Sequence, residues 1–293
     1  MGSLRTRLGH ELFTRVAGPD GPRQRDRIHG TPGPRLFDND SEIVRVHADA
    51  SMFIGGIRAI LLQTMHPAAM QAVADHSGFR GDMWGRLART STFLAVTTFG
   101  TVDHAEQAIG AVRRIHDRVT GTMPDGTPYV ASDPHLLAWV HAAEVDSFLL
   151  AHQTYGARPL DAAGCDAYVA QAAVVAGKLG VIDPPTTVAQ LHEVLEDFRP
   201  ELGATDEARS AVRFLILHPD LPLAARPAYG VLMAAGIALM PRWTRLPLRL
   251  PWLPVSERTV VKALGTLATG TIRWAMASGV EDVKEMRVAA AST

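Results

Sequence analysis

The stretch Asp82-Met-Trp-Gly-Arg86-Leu-Ala-Arg89-Thr90-Ser-Thr92-Phe93-Leu-Ala-Val-Thr97-Thr-Phe99-Gly100, continued by Thr101-Val102-Asp103 and a second run to Gly121, decides the fold class. Its residues fall into stripes with steps of three and four, the period of a helix, and nothing in it alternates as a half-buried strand does. Gly100, then Asp103 with Glu106 three residues on, reads as a helix stop and a capping-box restart. In the second run Ala105, Ile109, Val112, His116 and Val119 share one stripe, so an imidazole sits on an apolar face. Such a histidine is either a buried ring bonded to a carbonyl and a water, or a rigidly held ligand to a metal or haem iron. In the first run Arg86, Thr90, Phe93 and Thr97 form another stripe that carries no carboxylate. A guanidinium turned inward needs a partner, and an anionic or electron-rich ligand is one candidate.

Upstream, Ser41 to Met65 reads as a helical run capped by Asp40 or Ser41, with Ile54, Ile57, Leu61 and Met65 on one apolar stripe. Gly55-Gly56 inside it would let another backbone or a flat ligand come close. His66-Pro67 ends the run. His66 and His76 bracket Ala68 to Asp75 and are expected to cap helix ends or bond nearby carbonyls, while remaining rivals of His116 for a metal. Leu4 to Val16 suits a short amphipathic helix, and Gly18 to Asp40, rich in Gly, Pro, Arg and Asp, a linker or surface arm. Residues 1–40 are thereby set apart from a helical domain over 41–293.

Downstream, Pro124-Asp125-Gly126 marks a turn between short strands, and Asp133-Pro134 opens a helix to about Tyr155. Asp161 to Leu179, Thr187 to Phe198 and Thr205 to Leu217 follow as capped helices expected to wrap the central pair. Leu137, His141, Glu144 and Phe148 share a stripe. A His-x-x-Glu pair can face one metal, but a carboxylate-bridged di-iron bundle repeats the motif on a second helix, and this chain does not. A hydrogen bond from His141 to Glu144 is therefore expected. Ala228 to Met240, bounded by Pro227 and Pro241, is too short to span a bilayer and reads as a buried helix. The segment 242–252, which mixes arginines, tryptophans and leucines, suits packing over the core, with peripheral membrane contact as the alternative. Ser256-Glu257 opens a last helix to about Ser278. The whole is an all-α chain, a single domain of about ten helices.

The run Arg86-Leu-Ala-Arg89-Thr90, then Phe93, then Arg113-Arg114-Ile115-His116-Asp117-Arg118-Val119-Thr120-Gly121 resembles the haem oxygenases that cleave rubber and the related mycophenolate-pathway oxygenase. The resemblance takes in Leu61-Leu62-Gln63-Thr64-Met65-His66-Pro67 and Asp75-His76-Ser77 upstream, and Ala138-Trp139-Val140-His141-Ala142 to about Gly156 downstream. It implies an oxygenase that uses haem b and dioxygen on a hydrophobic, alkene-containing or isoprenoid small molecule, with a globin-like helical core around a haem-sized pocket. By that resemblance His116 is the proximal iron ligand and Arg86 and Thr90 match the arginine and threonine of the family signature; with the helix stripe this makes Arg86, Phe93 and Thr97 the expected cofactor-lining residues and Arg86, Arg89 and Thr90 the expected catalytic ones. Arg89 stands where the rubber-cleaving members carry a lysine. Where those members place a distal glutamate, the acidic residues upstream of Arg86 are Asp75 and Asp82. A non-catalytic haem- or lipid-binding protein on the same scaffold is the alternative, and a non-haem iron enzyme a more distant one.

Composition excludes other classes. A net charge of -1, from 29 basic and 30 acidic residues, leaves no electrostatic footprint for nucleic acid. Cys165 is the only cysteine, so one chain can hold no disulfide, thiolate zinc site or iron-sulfur cluster. Met1-Gly-Ser-Leu-Arg-Thr6 has no apolar core of a secretory leader, and a cytoplasmic location is expected.

Overall fold

The computed structural model describes residues 20–76, 83–219 and 221–291, with a few isolated positions before residue 20. In chain order the elements are α1 (Gly21–Gly30), α2 (Glu42–His47), α3 (Met52–Gln63), α4 (Pro67–His76), α5 (Met83–Phe99) and α6 (Val102–His116). A hairpin of β1 (Thr120–Thr122) and β2 (Pro128–Val130) pairs Gly121 with Tyr129. Then come α7 (Pro134–Tyr155), α8 (Ala162–Leu179), α9 (Val188–Asp197), α10 (Asp206–Leu217), α11 (Arg226–Ala238) and α12 (Arg242–Arg245). The last helix, α13 (Lys262–Ala291), is led in by the turn Pro254–Ser256 and the π-helical Glu257–Val261. The fold is all-α.

Helix starts follow local chemistry. The side chains of Asp133, Asp161, Thr187 and Thr205 each accept a backbone N–H of the first turn, which stabilises each helix by about 1 kcal/mol. The restart after Gly100 is capped by Thr101, whose hydroxyl accepts the His104 N–H; Asp103 lies inside the first turn, so the expected capping box is replaced.

The centre of the molecule is the antiparallel pair α3 and α7, crossed by α11. Glycines let the three backbones close on one another. A methyl group at Gly55 would lie 2.8 Å from Phe148 Cδ1 and 3.1 Å from its Cα, and one at Gly236 would lie 2.7 Å from Ile57 Cγ2. Gln63 Nε2 donates to the Val140 carbonyl at 3.2 Å, which fixes the antiparallel register. Arg58 on α3 is 2% exposed and joins all three helices. It pairs with Asp146 Oδ2 at 2.7 Å, donates to Ser147 Oγ at 2.7 Å, and donates to the Leu239 carbonyl at 2.9 Å.

Several expectations are corrected. The segment read as a linker contains α1, with Ile28 buried, because its prolines and glycines permit a helix N-terminus and a turn rather than forbidding structure. The run from Ser41 to Met65 breaks at residues 48–51, where Asp49 accepts the Ser51 N–H and is clamped by Arg273. The helices α5 and α6 pack on each other, with α5 also against α1 and α2; they flank the centre instead of forming it. The final helix runs past Ser278 to Ala291. The helix expected over Leu4 to Val16 lies almost wholly outside the described residues. The segment 242–252 is divided: Arg245, Leu248 and Leu250 are buried, whereas Leu246 and Trp252 face outward. Among the described residues no helix is long and apolar enough to cross a membrane.

Removing Arg58 leaves Asp146 charged and half-enclosed, so Arg58→Ala is expected to lower the unfolding free energy by about 3–5 kcal/mol, read from the urea midpoint. Gly55→Ala is expected to cost about 1–3 kcal/mol by overpacking against the Phe148 backbone, which cannot swing aside. Losses under about 0.5 kcal/mol, the scale of a neutral surface change, would contradict this view of the core.

Candidate functional site

The α5 stripe turns inward only at its C-terminal end. Thr97 is buried and its hydroxyl donates back to the Phe93 carbonyl at 2.9 Å. Phe93 is half-buried, Thr90 and Arg89 are exposed, and Arg86 is half-buried. Burial, with the nearby Arg89 charge adding to it, pushes the Arg86 pKa down from its ordinary value. The stripe expected to face inward throughout thus does so at Thr97 and Phe93, whereas Thr90 is exposed.

His116 is the last residue of α6, so Arg86 and His116 both lie at the end of the α5–α6 pair remote from Gly100. Its ring is half-buried and lines a cleft of about 250 Å³ with Arg113, Asp117, Ser132, Pro134, Leu179 and Gly180. Its Nδ1 is shielded from solvent and has no hydrogen-bond partner. Burial lowers its pKa, against the opposing pull of Asp117, and keeps the imidazole neutral at pH 7.

On the central helix, His141 and Glu144 do not form the expected hydrogen bond. His141 Nε2 is shielded and unpartnered, and burial pushes its pKa down to about 4. Burial pushes the Glu144 carboxyl up to about 7. Neither residue is fully enclosed, although both sit on the most central element. The α3–α7 register places Ile60 level with Glu144, since Gly56 meets Phe148 one turn away and Gln63 meets Val140. Ile60 is 39% exposed.

A polar set from three further helices lies against Phe148, whose ring meets that of His47 at 5.6 Å. His47 Nδ1 meets Thr98 Oγ1 at 2.8 Å and its Nε2 meets the Tyr168 hydroxyl at 3.3 Å. Burial lowers the His47 pKa to about 3. It also raises that of Tyr168, which feels the Glu144 and Asp146 charges as well. Sequence reading passed over His47, Tyr168 and Arg58, because each is defined by a partner far away along the chain. Asp75, an upstream acid, accepts from the Tyr129 hydroxyl at 2.6 Å, and Asp82 lies outside the described residues. His76 bonds the Thr120 carbonyl at 3.0 Å as expected.

An imidazole kept neutral by burial and a carboxyl pushed up to about 7, both on the central helix α7, are features of an enzyme for small molecules. The chain belongs to the family described as ER-bound oxygenase mpaB/B'/rubber oxygenase, catalytic domain, whose model matches residues 44–274, from α2 into α13. It is an oxygenase. No curated protein and no solved structure matches it.

The Glu144 shift has a defined sign. The folded chain holds that proton up to about pH 7, whereas the unfolded chain releases it near 4.5, so its stabilisation is present below 4.5 and is lost as pH rises through 7. His47 and His141 act oppositely, because their lowered pKa values favour the folded state above about 6.5. Comparison with Glu144→Gln isolates the carboxyl: from pH 5 to pH 8 the wild type is expected to lose about 2 kcal/mol relative to the variant, in urea midpoints. A difference independent of pH would contradict the shift.

Proposed function

We propose that this oxygenase works with haem b, that His116 would hold its iron, and that it acts with dioxygen on a hydrophobic, alkene-containing or isoprenoid small molecule. The observation that carries the reading is the state of the His116 ring: neutral, helix-mounted, lining a cleft, with Nδ1 shielded and unpartnered. A neutral imidazole is the form that binds haem iron, so the donor chemistry fits. When bound, haem would supply the activation of dioxygen.

The remaining roles belong to side chains of this chain. Arg86 holds a positive charge in a partly desolvated place and suits a cofactor carboxylate or negative charge developing on oxygen. Phe93 and Thr97 are on the buried half of the α5 stripe and Arg89 and Thr90 on its open half, and we assign the first two to cofactor binding and the second two to catalysis. Glu144 can hold or release a proton near pH 7. The outward Leu246 and Trp252, with Arg242 lying 5.0 Å over the Trp252 ring, support peripheral contact with a membrane surface from which such a substrate would be drawn.

The test compares two histidines, because His141 also carries a shielded, unpartnered nitrogen. His116→Ala is expected to abolish the Soret band or shift it to another ligand set, and to abolish oxygen consumption with alkene or prenyl substrates, while His141→Ala keeps the band. The reverse pattern would move the axial role to His141, and an unchanged band in both variants would overturn the ligand assignment.

A further inference from the structure

Where α3 gives way to α4, a second group of ligating side chains meets, apart from the site above. His66 precedes α4, His135 is the second residue of α7, and Glu201 ends the 3₁₀ turn Arg199–Glu201. One ligand atom from each lies within 4.8 Å of the other two. His135 Nε2 lies 2.9 Å from Glu201 Oε2 and 3.0 Å from Oε1, and His66 Nε2 lies 3.7 Å from Oε2.

We propose that His66, His135 and Glu201 bind a zinc ion. The decisive group is His66. Its ring is 8% exposed, yet its Nε2, aimed at Glu201, has no hydrogen-bond partner, while Nδ1 takes only the Ala69 N–H at 3.5 Å. Leaving a buried nitrogen unsatisfied costs about 1–3 kcal/mol. A divalent cation satisfies that nitrogen, because it takes the ring as a donor and the Glu201 carboxylate as a counter-charge. Two imidazoles and one carboxylate, with no thiolate, are a zinc donor set that leaves a further position for solvent, and Glu201 and His135 open to solvent on that side.

The three residues are held in place by other contacts. The His135 N–H donates to the capping Asp133 Oδ1 at 2.9 Å, and Asp133 adds negative charge toward His66. Phe198 packs on the His135 ring at 4.5 Å and on the His66 ring at 6.2 Å. The Gly203 N–H donates to the Met65 carbonyl at 2.8 Å and ties the Glu201 turn to the residue before His66. Ligands around a zinc ion at about 2.0–2.1 Å sit about 3.3 Å apart, so the group needs only side-chain closure. Once filled, the site would clamp the starts of α4 and α7 to the turn before α10.

The test is calorimetric titration of zinc chloride into the full chain stripped of metal, with thermal unfolding alongside. His135→Ala and Glu201→Gln alter exposed positions and keep the fold, whereas His66→Ala would disturb buried packing. One zinc per chain is expected, with a raised Tm, and each variant should weaken binding at least about tenfold, since even outer-sphere partners of metal ligands are worth 10–100-fold. No saturable binding by the wild type, or equal binding by wild type and both variants, would overturn the proposal.

Discussion

One buried guanidinium sets the geometry on which the rest depends. Arg58 reaches from α3 to Asp146 and Ser147 on α7 and to the Leu239 carbonyl after α11, so three helices are fixed in translation and rotation at a single point. A buried ion pair adds little net stability over an apolar equivalent, but breaking it is costly, and here its product is orientation.

With that orientation set, burial does most of the electrostatic work. It keeps His47, His116 and His141 uncharged and lifts Glu144 into the neutral range, and in each case the low-dielectric surroundings are the leading cause. Apart from the Arg58–Asp146 pair, these groups offer lone pairs and a proton rather than fixed charges. On the flanking helix α5, Arg86 and Arg89 add further positive charge.

Much of the helix plan was legible because its signals are local. Asp133, Asp161, Thr187 and Thr205 each announce a helix by one side chain accepting one nearby N–H, and each does so in the structure. Depth is not a local property. The stripes on α5 and α6 gave their faces correctly at Thr97, Ala105 and Ile109, but periodicity does not say how many neighbours a helix has, and the centre fell to α3 and α7. The spacing of His141 and Glu144 made a hydrogen bond plausible, yet a shared face does not make rotamers converge. Arg58 and Asp146, like His66, His135 and Glu201, carry no spacing signal because their meeting depends on the tertiary register.

The visible absorption spectrum of the purified full chain, titrated with haemin, tests the cofactor reading most directly. A Soret band that saturates at one haem per chain is expected, with dioxygen consumed by the loaded protein alone. A chain that is folded by far-ultraviolet circular dichroism, shows no Soret band and takes up no haemin would contradict the assignment of a haem-dependent oxygenase.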